Sequence, residues 1–130
     1  MTTPPQPRVG NTLLFHRLND LTCLWYVHTK RMQKLDRYTL GQKIIELLIE
    51  ILVLTLQAGF RSSQQKLATL SNISPKLDTV KVLIRLTHKL GCINEADYIR
   101  FESILQESGK MLGGWMNDVK SKAPLAGAPN

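Results

Sequence analysis

Catalytic or metal chemistry in this sequence would have to be built from three histidines (His16, His28 and His88), ten acidic residues and two cysteines. No histidine stands at metal-ligand spacing from another, and the acids form no paired constellation for general acid–base work. Cys23 and Cys92 are far apart with no CxxC, the pattern of reduced, buried thiols in a cytosolic protein rather than a secreted disulfide framework. Gly113-Gly114 has no Lys-Ser/Thr after it, so it is no phosphate-cradling loop. Small all-helical RNases carry an Arg followed several residues later by His on one helix; Arg85 and His88, only three apart, fit that pattern poorly. His28 falls on the core face of its helix and reads as a structural histidine. No catalytic residue, metal or cofactor is implied.

The chemistry that the residues do carry is electrostatic. Seventeen Lys+Arg against ten Asp+Glu give a net charge of +7 and a pI near 9.7, a surface suited to nucleic acid or anionic membrane. On a helical wheel Lys81, Arg85, His88 and Lys89 fall within about 100° of one another, with only Asp78 diluting them. Exposed helix faces usually mix signs, because opposite charges at i,i+4 stabilise them; this face forgoes that. An ordinary solvated face is the bland alternative. Phosphates along a nucleic acid would suit the stripe, and its lack of interleaved aromatics argues for backbone contact rather than base readout. Lys30, Arg31, Lys34 and Arg37 form a second, weaker cationic group around the end of the first helix.

Three glycines raise a different question. Gly109, Gly113 and Gly114 stand in an otherwise helical stretch, at a cost of roughly 1 kcal/mol each relative to alanine. Gly109 and Gly113 share a side, beside Leu105 and Met116, and a GxxxG strip lets another helix of the same chain or of a neighbouring subunit approach closely. Alternatively Gly113-Gly114 ends the helix, leaving a final turn at 115–120.

These residues need elements to hold them. A chain of 130 residues makes one domain, and 43% apolar content excludes wholesale disorder. Apolar residues recur at helical spacing throughout 13–120, without strand-like alternation, which predicts an all-α, up-and-down four-helix bundle. Residues 1–12 and 121–130, rich in Pro and small residues, read as disordered tails. The first helix is expected over about 14–35, burying Leu18, Leu21, Trp25, His28, Met32 and Leu35. Thr39 is the expected N-cap of a second helix over about 40–59. On it Lys43, Glu46, Glu50 and Gln57 fill an arc of only about 60°. Burying the apolar remainder needs a neighbouring subunit. Leu48 and Leu52, with Gly109, Gly113 and Trp115, are the expected helix or subunit packing positions. The third segment reads as a short helix at about 62–71, a break or kink, then a helix from Pro75 to Leu90 capped by Ser74 and stopped by Gly91. The fourth spans about 95–120. The most apolar stretch, 44–58, is too short to span a bilayer and contains Glu46 and Glu50. No signal peptide opens the chain, and a soluble, cytoplasmic protein without membrane contact is expected.

With "RYTLGQKI" at 37–44, "VKVLIRLTHKLG" at 80–91 and "ESGKMLGGWM" at 107–116, residues 13 to 120 resemble the accessory variability proteins (Avd) of diversity-generating retroelements. That family sits within a broader group of small four-helix-bundle proteins that includes those encoded in ribosomal RNA intervening sequences. The resemblance implies a non-enzymatic protomer assembled as a homopentameric ring with a positively charged outside. Its implied partners are the element's reverse transcriptase and template RNA, with DNA left open, in support of mutagenic copying. The family's basic pattern on the third helix, Arg or Lys, three residues, then Arg, falls on Lys81 and Arg85. Lys81 keeps the charge without the bidentate fork of Arg. The family's third segment is continuous, which Ser74-Pro75 puts in question. Two other readings remain: an oligomeric module that touches only protein, and a small RNase.

Overall fold

A computed structural model describes residues 9–122, with side chains from residue 12. Four long helices, α1 (Val9–Thr29), α3 (Gln42–Gly59), α4 (Ser63–Lys89) and α5 (Glu95–Lys122), carry the fold. A single turn, α2 (Lys34–Asp36), runs into a π-helical turn, Arg37–Gly41, which continues into α3. α1 packs on α3 and α5, and α4 packs on the same two helices, so the contacts run around a square. Short connections make successive helices antiparallel. This is the up-and-down four-helix bundle that the periodicity predicts, with no strand among the described residues. The expected tails lie mostly outside the described residues, although α1 is already helical from Val9 and α5 continues to Lys122.

The core follows from the apolar stripes. Leu14, Leu18, Leu21 and Trp25 of α1 meet Ile44, Leu48 and Ile51 of α3, Leu70, Ile73, Val80 and Ile84 of α4, and Leu105 of α5, all fully buried. Phe101, Leu112, Trp115 and Val119 complete the α5 stripe. Trp115 and Leu48 therefore pack inside the protomer, and Leu52 lies half-buried against the core. His28 is buried too. Its Nε2 donates to the Cys92 carbonyl at 3.0 Å while its ring stands edge-on to Phe101, so it ties α1 to the α4–α5 loop.

Several expected boundaries move. α1 stops at Thr29 rather than near Leu35, and Leu35 is 75% exposed instead of buried. Thr39 caps nothing: helix has already begun at Lys34, and the Thr39 hydroxyl donates to the Leu35 carbonyl at 2.8 Å. Cys23 is exposed, contrary to its expected burial, because it lies on the outer side of α1. Cys92 is half-buried, and its thiol pKa is raised by burial first and by the hydrogen bond and charge of Asp36 second. The α4–α5 loop behaves as expected. Gly91 takes φ +80°, its amide donates to the His88 carbonyl, and the Cys92 amide donates to Thr87, the paired bonds of a Schellman stop.

The largest correction concerns Ser74-Pro75. α4 is one helix from Ser63 to Lys89, with Pro75 inside it. Proline supplies no amide for the Ser71 carbonyl and its ring crowds that carbonyl, a local cost of about 3 kcal/mol. Leu70, Ile73, Leu77 and Val80 on either side are all buried, and continuous packing against α3 and α5 outweighs the local penalty. Pro75 itself is exposed, so Pro75→Ala should raise the unfolding free energy by about 1–3 kcal/mol in urea titrations. A loss of stability would mean instead that the chain breaks there.

Candidate nucleic-acid interface

Two groups of cations stand out on the sequence, and the structure gives them different surroundings. The first gathers at the end of α1. Arg37 turns back onto the helix that precedes it: its Nε donates to the Thr29 carbonyl at 2.9 Å, and one terminal nitrogen donates to Lys30 and Met32, both at 3.0 Å. Carbonyls near a helix C-terminus lack amide partners, and a guanidinium supplies several donors at once. Next to it Trp25 Nε1 donates to the Gly41 carbonyl at 3.0 Å. A Cβ on Gly41 would lie 3.2 Å from both the Met32 sulfur and the Thr29 methyl, so any larger residue would have to push these side chains aside by a few tenths of an ångström. The "RYTLG" stretch is therefore a structural corner, and Arg37 is engaged in it. Lys30 lies over the Tyr26 ring, 5.0 Å from its centre, while Arg31 and Lys34 are exposed.

The second group lies along the seam between α4 and α5. Arg85 Nε approaches Glu102 at 3.9 Å; the arginine side chain is 61% exposed and the carboxylate only 15%. Oε1 of Glu102 has no hydrogen-bond partner, so Arg85 is the charge that compensates a largely buried acid. His88 Nε2 meets Glu95 at 2.8 Å, and its ring stacks on Tyr98 with centroids 3.9 Å apart. Lys81 reaches toward Asp78 at 3.9 Å, and Lys89 is exposed. The α4 sequence is nearly free of acids, but α5 brings carboxylates to the seam. Glu95, Tyr98 and Glu102 stand on one side of α5 at helical spacing, a signal present in the sequence whose meaning depends on which helix packs beside it.

Of the two expectations for the glycines, the helix end is overturned, and the close approach of another helix is absent within the protomer. Gly113-Gly114 does not end α5, which runs unbroken through both to Lys122. No helix of the protomer rests on them: a Cβ at Gly113 or Gly114 would have nothing within 4 Å. At Gly109 a Cβ would stand 3.1 Å from Nζ of Lys81, so that glycine seats a lysine. No cluster of three His, Cys, Asp or Glu side chains suited to a metal occurs among the described residues. No described helix is long and apolar enough to cross a membrane.

In comparisons with known proteins, the model of the bAvd-like family matches residues 12–119, nearly all of the described chain. No curated protein matches. The bAvd-like match covers both the Arg37–Gly41 corner and the α4–α5 seam.

The corner and the seam make separable predictions. Arg37→Lys keeps the charge but loses the fork, so thermal or urea unfolding should show a loss of about 1–3 kcal/mol. RNA affinity of the folded variant should match the parent protein. A variant of unchanged stability with weakened RNA binding would return Arg37 to the interface.

Proposed function

Because the chain belongs to the bAvd-like family, we propose that it is a non-enzymatic accessory protein of a diversity-generating retroelement. In this role it binds template RNA and docks the element's reverse transcriptase. The observation that carries the reading is the coincidence of family membership with a +7 chain whose α4 presents Lys81, Arg85 and Lys89 on one side. RNA is the polyanion that this reading assigns, with DNA as a competitor.

Assembly into a homo-oligomer belongs to the same proposal. α3 exposes Ile49, Val53 and Leu56, followed by Phe60, each about half accessible in the protomer. α4 exposes a second strip, Val82 and Leu86, continued by its C-cap Leu90. The two strips lie on different helices, separated by the polar arc of α3 that includes Glu46, Glu50 and Gln57. Docking the first strip of one subunit onto the second strip of the next is a heterologous contact, which closes into a ring when the rotation allows it. The number five comes from the family resemblance. A ring multiplies the charge of each subunit and makes RNA binding steeply salt-dependent.

Two measurements test the proposal. Light scattering should give about five times 14.7 kDa at low and high salt, and Val53→Glu should lower the mass while circular dichroism keeps its helical signal. A monomeric parent protein would remove the ring. For RNA, Lys81→Gln and Lys89→Gln combined with the paired change Arg85→Gln and Glu102→Gln should weaken binding at least ~10-fold at low salt. The paired change avoids leaving Glu102 as an uncompensated acid. Undiminished affinity in that assembled variant would move the interface elsewhere. Binding to the reverse transcriptase alone, insensitive to salt, would favour a purely protein-contacting module.

A further inference from the structure

The α4–α5 seam changes character along its length. Near Gly91, α5 offers Glu95 and Glu102 to the cations of α4. Farther along, the same side of α5 presents Gln106, Gly109, Lys110 and Gly113. With Lys81 and Ser74 of α4 these line an open groove of about 400 Å³. Asp78 is its sole acidic lining residue, 71% exposed and 3.9 Å from Lys81. The Lys81 ammonium lies over Gly109, 3.1 Å from where a Cβ would stand. At Gly113, one turn on, the backbone of α5 is bare to the groove, with nothing within 4 Å of where a Cβ would stand.

We propose that this groove holds the sugar–phosphate backbone of a single-stranded RNA, with a phosphate between Lys81 and Lys110 and the adjoining ribose against the bared surface at Gly113. The inference rests on the RNA-binding reading above and gives it a location that the basic stripe of α4 alone does not. Two lysines from facing helices can neutralise one phosphate, and an uncluttered floor lets the strand approach closely. No aromatic side chain lines the groove, so it follows the backbone and is indifferent to sequence. The glycines thereby gain a use that intrachain helix packing does not supply. Gly109 seats a cation, and Gly113 keeps the strand's path open. Gly114 lies on another side of α5, outside the groove.

Gly113→Leu and Gly114→Leu make a matched pair. Both replace a helical glycine with a better helix former, both meet open space, and only the first fills the groove. Fluorescent oligouridylate titrated into the full chain should bind Gly113→Leu at least ~10-fold more weakly, and Gly114→Leu within about twofold of the parent. Lys110→Gln, an exposed change, should lower the slope of log K against log salt by about 0.7, as for one lost phosphate contact. If Gly113→Leu binds like the parent while the Lys81, Lys89 and Arg85/Glu102 variant does not, the groove is wrong and the RNA reading stands. A parent protein that does not bind oligouridylate sinks both. Loss of assembly mass in Gly113→Leu with unchanged RNA affinity would make the groove a subunit contact. Competition by oligoglutamate as effective as that by RNA of equal charge would assign it to an acidic protein segment. Either result overturns the proposal.

Discussion

The bundle depends on how its first helix is stopped. Carbonyls at a helix C-terminus run short of amide donors, and at the end of α1 the Met32 amide reaches Thr29 at 3.1 Å. Arg37 satisfies Thr29, Lys30 and Met32 together, which pins the turn that reverses the chain. The Trp25 bond to Gly41 then fixes α3 against α1, with Gly41 small enough for the contact. Once that corner is set, the buried stripes of α1 and α3 face inward. Ile49, Val53 and Leu56 are left outside, since a helix apolar on most of its circumference cannot bury every side within a square of four.

The outer surface is organised by two different economies. On α3 and α4 it leaves apolar side chains about half exposed. Along the seam of α4 and α5 it sets cations against the carboxylates of α5 at one end, and at the other against glycine, amide and a second lysine, with Asp78 of α4 the one acid there. Charge on the seam is therefore graded, and the graded end coincides with the place where helix propensity has been given up. Local choices that disfavour helix tend to persist where surrounding structure or function compensates them.

Much of the architecture was legible in the residues. Leu14 through Trp25, Ile44 through Ile51, Val80 and Ile84, and Phe101 through Val119 repeat at helical spacing, and burying those stripes leaves few arrangements other than a bundle. Gly91 marked its loop because few other residues tolerate positive φ. Boundaries were less legible. Thr39 resembles a cap and Ser74-Pro75 a helix start, yet both lie inside continuous helix. Local signals of about 1–3 kcal/mol yield when packing on both sides favours continuation.

By itself the sequence determined the helical class, the inward stripes, the strong positive charge and the absence of metal-ligand spacing, because each depends on residue type and on neighbours three or four positions away. Tertiary structure decided which charges meet. Arg37 reads as one more surface cation until the chain reverses and brings it onto three carbonyls, and the α4 stripe reads as unpaired until α5 lays Glu95 and Glu102 beside it. The same holds for the glycines, whose spacing announces a smooth helix side but not what faces it. Partners distant in sequence are set by the packing of whole helices, and only that packing shows Lys81 resting on Gly109 and open space at Gly113.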